Sequence, residues 1–357
     1  MHLGMSITPF GHHPAAWRTG RSVEAIGFNR LAAQVAKAQA GNLAFVLLAD
    51  RFGQRPLHDL SPEAVPFEPT TLAAALATAS RQIGIIASAA TSQHEPYNIA
   101  RRFASLDAIS AGRSGWNLVV SAEALARDKE YVEVVSGLWD SWEEDAFICD
   151  KAAGRFFVPH KMHVLDHRGE HFTVRGPLNV NRSPQGKPVI AHKLTLPTFE
   201  IAAQYAEVIF IDAPSPEKAN GLVAAFARRL HHYGRDRSDV KILADVVIYP
   251  GATSAGAQEL RDSLDAMAGH VQWSNALQLV GDTREIADRM QQWTQAGIVD
   301  GFTILPCLVP ESVHALVDHI VPELDRRGLL QRSDEGFTLR DHLGLRKPQH
   351  PASQVVA

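Results

Sequence analysis

AFVLLAD, residues Ala44–Asp50, is an unbroken apolar run that ends on a carboxylate. A strand with one wet face alternates apolar and polar residues. A run with no polar member belongs to a strand covered on both faces, as in a parallel sheet packed against helices. Seven near-continuous runs of the same kind are spread along the chain: LGMSI (Leu3–Ile7), IGIIASA (Ile83–Ala89), WNLVVS (Trp116–Ser121), PVIAHK (Pro188–Lys193), VIFIDA (Val208–Ala213), KILADVVIY (Lys241–Tyr249) and GFTILP (Gly301–Pro306). Eight such units predict an α/β fold, a (β/α)8 TIM barrel. In that fold the chemistry sits at the C-terminal ends of the strands. Asp50, Ser88, Asn117, Ser121, Lys193, Asp212 and Pro306 are therefore the first places to look.

Helical patterns fill the gaps. Ser22–Ala40 carries Val23, Ile26, Leu31, Val35 and Ala38 at helical spacing and stops at Gly41. Further helices are expected over Pro69–Ser80, Pro96–Ser110, Asp128–Trp142, Thr198–Tyr205, Pro216–His232, Thr283–Ala296 and Pro310–Arg327. Trp139 and Trp142 lie three apart on one of them, where core packing is the default. Glu143–Lys187, rich in glycine and proline, breaks the repeat and reads as an insertion with a small hairpin between units four and five. One barrel domain is expected over residues 1–345, with a loose polar tail over 346–357.

The bulk numbers narrow the function. The chain has 357 residues, is 45% hydrophobic and carries a formal charge of −4, which suits one large barrel. No stretch of 18 apolar residues is present, so no membrane span is expected. No basic segment leads into an apolar one at the N-terminus, so no secretory signal is expected either. Cys149 and Cys307 have no metal-like spacing and fit a reducing, cytoplasmic setting. Charges are mixed, with no basic block, so nucleic acid is not an expected partner.

Longer strings carry a resemblance. They are GHHPAAWR (Gly11–Arg18), LAD (Leu48–Asp50), EPYNIARRFASLDAISAGRSGWNLVVS (Glu95–Ser121), YVEVVSGLWDSWEEDAF (Tyr131–Phe147), DHRGEHFTVRGPLNVNRSPQGKPVI (Asp166–Ile190), VPELDRRGLL (Val321–Leu330) and TLRDHLGL (Thr338–Leu345). In this order they resemble the bacterial luciferase-like, reduced-flavin-dependent monooxygenases, in the branch of the nitrilotriacetate, EDTA and dibenzothiophene-sulfone enzymes. The resemblance implies a TIM barrel and FMN reduced in trans by a flavin reductase. It also implies dioxygen as co-substrate, a small-molecule substrate, and a homodimer or a heteromer with a related subunit.

The resemblance also implies site residues. Asp50 matches an aspartate beside the flavin, although Asp is common as a loop carboxylate after strands. Ser88 keeps a hydroxyl where the family often has threonine; the alternative is a small residue packed inside the barrel. Asn117 and Ser121 flank the fourth strand and suit a flavin pyrimidine edge, or are buried polar groups satisfied by backbone. His12 and His13 lie in the loop on the substrate side, where a histidine can move a proton; His13 is taken as the catalytic one.

Three departures concern the cofactor. A His–Tyr pair expected after the fourth strand is missing, and Leu125 falls about where the tyrosine would be. The phosphate-binding glycine–serine loop after the fifth strand is replaced by AHKLTLPTF (Ala191–Phe199), where Lys193 and Thr195 are the remaining candidates. The segment between strands seven and eight is shortened to about one crossover helix. These losses predict weak FMN binding. They also keep open two alternatives: a paralogue acting as a non-catalytic partner subunit, and a cofactor-independent barrel enzyme.

Overall fold

The computed structural model describes residues 1–19, 26–50, 67–269, 274–331 and 336–354. Part of the helix expected from Ser22 lies outside them, and the described helix is α1, Phe28–Ala40. The strands are β1 (His2–Ser6), β2 (Phe45–Leu48), β3 (Gly84–Ala90), β4 (Ser114–Val119), β5 (Phe147–Asp150), β6 (Arg155–Phe157), β7 (His167–Arg168) and β8 (Thr173–Val174). They continue with β9 (Val189–Lys193), β10 (Val208–Ile211), β11 (Lys241–Pro250), β12 (Leu277–Gly281) and β13 (Gly301–Pro306). All eight apolar runs are strands. They pair in parallel in the order β1-β2-β3-β4-β9-β10-β11-β13, and β13 returns to β1 through His2↔Gly301 to Met5↔Ile304. The barrel is closed.

The surrounding helices after α1 are α2 (Pro69–Ala79), α3 (Pro96–Ile109), α4 (Leu125–Leu138), α5 (Phe199–Tyr205), α6 (Pro216–His232), α7 (Ser254–Ala268) and α8 (Thr283–Gln295). Their apolar faces and the outward faces of the strands form the main core. Trp116 of β4 sits in it, fully buried against Phe103, Tyr131 and Trp139, and donates from its indole nitrogen to the Ala89 carbonyl at 3.0 Å. Trp139 and Trp142 are packing residues, as their spacing suggests, each donating to a backbone carbonyl.

The segment between β11 and β13 is longer than expected. It holds α7, β12 and α8 rather than one crossover helix. α7 buries only Ala257 and Leu264, so its periodic signal in the sequence is faint. Its ends are nevertheless well marked: the Thr253 side chain accepts from the Gly256 N–H, and Gly269 takes the left-handed conformation at φ 79°. β12 is short and half-buried. It lies beside the outer half of β11, from Val246↔Leu277 to Pro250↔Gly281, beyond the point where β10 stops pairing at Ile211↔Ala244.

The interior has its own core, made of Phe45, Leu47, Ile86, Val189, Ala191, Val208, Phe210 and Leu243. α9 (Glu311–Ala315) and α10 (Val321–Arg326), joined by a π-helical turn, lead out of the last strand towards α11 (Leu339–Leu343). α11 closes the N-terminal end, adding Leu339, Leu343 and Leu345 to that interior core. Gly84, the first residue of β3, leaves the space Leu339 occupies: a Cβ there would come within 2.5 Å of its methyl group. Gly4 does the same for the Phe45 ring, at 2.1 Å.

The insertion has two hairpins, β5–β6 and β7–β8, where one was expected. Its last stretch is tied to α3 through Asp107. This fully buried carboxylate accepts from the Ser114 N–H (3.0 Å), the Ser114 hydroxyl (2.8 Å), the Gln185 amide (2.6 Å) and the Ser183 hydroxyl. The tail, expected to be loose, packs back over residues 346–354. Buried His350 donates to the Asp140 carbonyl at 2.9 Å and stacks on His163, and Arg182 donates to the Pro348 carbonyl. Long-range side-chain hydrogen bonds add to the insertion's aromatic cluster of Phe147, Phe156 and Phe157 around Trp142, a contribution no hydropathy pattern reveals.

Candidate active site

With α11 closing one end, the site is at the other, and alternation along the strands decides what lines it. Two residues beyond the interior core positions Ile86, Ala191, Phe210 and Leu243 come Ser88, Lys193, Asp212 and Asp245. By the same count Ser6 follows Gly4, Asn117 follows Gly115 and Thr303 follows Gly301. Apolar interior thus gives way to a polar ring at the strand C-termini.

Lys193 is the hub of this ring. Its ammonium lies 2.8 Å from Asp212 and 3.1 Å from Asp245. Asp245 is almost fully buried, and loss of water pushes its carboxyl up to about 6, against the pull of Lys193. Burial works against the charge on Lys193, yet the two carboxylates more than offset it and raise its pKa. Thr303, in register with Asp245 and completely buried, turns its hydroxyl towards that carboxyl and helps to hold its pKa down. On the neighbouring strands the Asn117 amide donates to the Ser88 hydroxyl at 2.8 Å, while its other end has no partner.

The two histidines separate cleanly. His13 is turned onto α7: its Nε2 lies 3.1 Å from Asp265, its Nδ1 accepts from the Ala15 N–H at 3.1 Å, and its ring meets Tyr249 edge-on. Both nitrogens of His13, the histidine expected to be catalytic, are therefore engaged by Asp265 and the Ala15 N–H. His12 lies against the Ser6 carbonyl and within reach of the Lys193 charge. Its Nε2 is sealed from solvent without a partner, and burial lowers its pKa to about 4, so the ring is neutral.

Other expected site residues are committed elsewhere. The Thr195 hydroxyl closes a capping box with Thr198 on the short 3-10 turn before α5. Ser121 donates its N–H to Asp128 (2.8 Å) and accepts the Glu123 N–H at its hydroxyl, which shapes the start of α4. His192 bridges the Leu118 carbonyl and the Thr198 hydroxyl. Asp50 is half-buried just beyond β2, and residues 51–66 lie outside the described residues. The sequence reading missed Asp245, Thr303 and Ser6. Of these only Asp245 carries a visible signal, a lone charge inside the apolar run KILADVVIY.

A swap of roles follows for the histidine pair. His13→Ala is expected to lose about 1–3 kcal/mol, because Asp265 and the Ala15 N–H lose a partner. His12→Leu removes a buried nitrogen that bonds to nothing together with one hydrogen bond to the Ser6 carbonyl, and is expected to cost less than about 1 kcal/mol. Urea unfolding of both variants decides it; equal losses would mean that His12 is also a packing residue.

Comparison with known proteins agrees with this geometry. The sequence model of the family described as luciferase-like monooxygenase matches residues 5–275. The chain is 34% identical to N-acetyl-S-(2-succino)cysteine monooxygenase of Bacillus subtilis (strain 168), covering 97% of each. It is 33% identical to nitrilotriacetate monooxygenase component A of Aminobacter aminovorans, covering 99% of this chain and 98% of that one. The first alignment runs over 435 positions, more than this chain has residues, so that relative carries segments absent here. Among solved structures, EDTA monooxygenase from Chelativorans sp. BNC1 superposes with a TM-score of 0.86 at 26% identity, covering 98% of this chain and 99% of that one.

Proposed function

Because the chain belongs to the luciferase-like monooxygenase family, we propose that it is the oxygenase of a two-component system, using dioxygen and FMN reduced by a separate flavin reductase to oxygenate a small organic substrate. The observation that carries the reading is the half-satisfied amide of Asn117 at the mouth of a closed barrel, nine-tenths buried and facing the interior. A ligand N–H placed at the barrel mouth would complete this amide. A flavin pyrimidine edge, with its alternating carbonyls and ring N–H, is such a ligand. Asn117 would hold that edge, and Ser88 would fix the amide's orientation.

Bound reduced flavin would supply the electrons that activate dioxygen. The protein's own part is placement. His12, kept neutral by burial, can accept a hydrogen bond at its bare Nε2 from a bound substrate or cofactor. The interior core below the ring excludes water from beneath.

The phosphate end of FMN is served less well. The Lys193 charge is taken up by Asp212 and Asp245, the Thr195 hydroxyl is used in a cap, and Pro197 has no N–H. The sequence-based expectation that Lys193 and Thr195 recover a phosphate site gives way to a different one: FMN and riboflavin bind with affinities within about threefold of each other. Asn117→Leu should weaken both about tenfold, the worth of a buried hydrogen bond. Fluorescence titration of the oxidised flavins tests both statements. If neither flavin binds the wild type in the oxidised or in the reduced state, the oxygenase reading fails. If FMN binds far more tightly than riboflavin, groups other than Lys193 and Thr195 hold the phosphate.

A further inference from the structure

The polar ring accepts far more hydrogen bonds than it donates. Asp212 Oδ1 and Asp245 Oδ1 are buried and have no partner, beyond the oxygens that hold Lys193. His12 Nε2 is equally bare, and so is one end of the Asn117 amide. The Thr303 hydroxyl, completely buried beside Asp245, is a donor turned towards that carboxyl. Against these stand that hydroxyl and one ammonium with three N–H groups, two of them already directed at Asp212 and Asp245. Two carboxylates face one cation, so the hub carries a formal charge of −1.

We propose that this hub binds the ammonium group of an amine substrate, placing it between the free oxygens of Asp212 and Asp245 at the barrel mouth. The inference rests on the oxygenase reading only for what happens to the substrate afterwards; the binding itself needs no flavin. An ammonium brings three donors and one positive charge. It satisfies both bare oxygens and neutralises the hub. A carboxylate or phosphate would bring acceptors to acceptors and add negative charge to a hub that already carries −1. A neutral alcohol offers one donor and no charge. A divalent cation wants a shell of about six oxygens and is repelled by the lysine already seated there.

The probes are benzylammonium, benzyl alcohol and benzoate, titrated calorimetrically at pH 8 into the full chain without flavin. Benzylammonium is expected to bind at least about tenfold more tightly than either isostere, the worth of a charge-assisted hydrogen bond. Asp245→Asn should weaken it about tenfold. Lys193→Met should tighten it, because removing the cation leaves both carboxylates to the probe. That variant keeps the test sound should the aspartate variant fold poorly. Benzoate binding as tightly as benzylammonium, and lost in Lys193→Met, would overturn the proposal, as would no binding of any probe. Flavin titration of the same samples separates the two readings: flavin bound but no ammonium preference sinks this proposal and leaves the oxygenase reading standing.

Discussion

Arg340→Met is expected to cost about 2–3 kcal/mol of folding stability, because it removes the buried member of a half-buried ion pair and two further hydrogen bonds. The Arg340 side chain is buried within α11. It reaches Glu207 through both ends of its guanidinium, at 2.5 and 2.9 Å, and donates to the Lys187 and Arg346 carbonyls. Methionine fills much of the volume but leaves a carboxylate and two carbonyls without their donor. Chemical denaturation with two probes gives the answer, one reporting far-ultraviolet helicity and one the buried tryptophans. A loss below about 1 kcal/mol would show that α11 is held by its leucines alone.

Asp107→Ala is expected to cost more, about 3–5 kcal/mol, for the opposite reason: an acceptor disappears and its donors are left bare. The Ser114 N–H and hydroxyl, the Ser183 hydroxyl and the Gln185 amide all converge on this carboxylate. Burial raises the Asp107 pKa, while these four donors pull the other way. The insertion between β4 and β9 should loosen first. Hydrogen exchange across residues 176–187 is expected to speed up in the variant before the barrel strands exchange. Uniform exchange across the whole chain would mean that Asp107 stabilises the barrel as a unit instead.

The barrel was legible because its eight strands are apolar on both faces, and a double-sided run cannot be mistaken for a half-exposed strand. β12 and α7 escaped for the converse reason. β12 buries only every second residue of LQLVG, and α7 buries two residues over its length. Site positions at strand ends were legible through the barrel rule: Ser88, Asn117, Lys193 and Asp212 all belong to the ring. What those groups do was not legible, since it depends on partners far away in sequence. Lys193 reads as a free cation until Asp245, 52 residues on, is seen beside it. His12 and His13 are adjacent and chemically identical. Only the distant Asp265 on α7 turns one of them away from the site.

The floor of the barrel comes from residues 339–345, while its walls begin at residue 2. During synthesis the first strands therefore emerge hundreds of residues before the helix that seals their inner surface, and β1 must also wait for β13 to pair along its free edge. Until then Phe45, Ile86 and Phe210 face an open tube. A nascent chain in that condition exposes apolar surface and an unpaired strand edge together, the two features that drive aggregation. Slower growth or chaperone co-expression, which lengthen or shield the interval between the first strand and the floor, are therefore expected to raise the soluble yield without any change in the final stability.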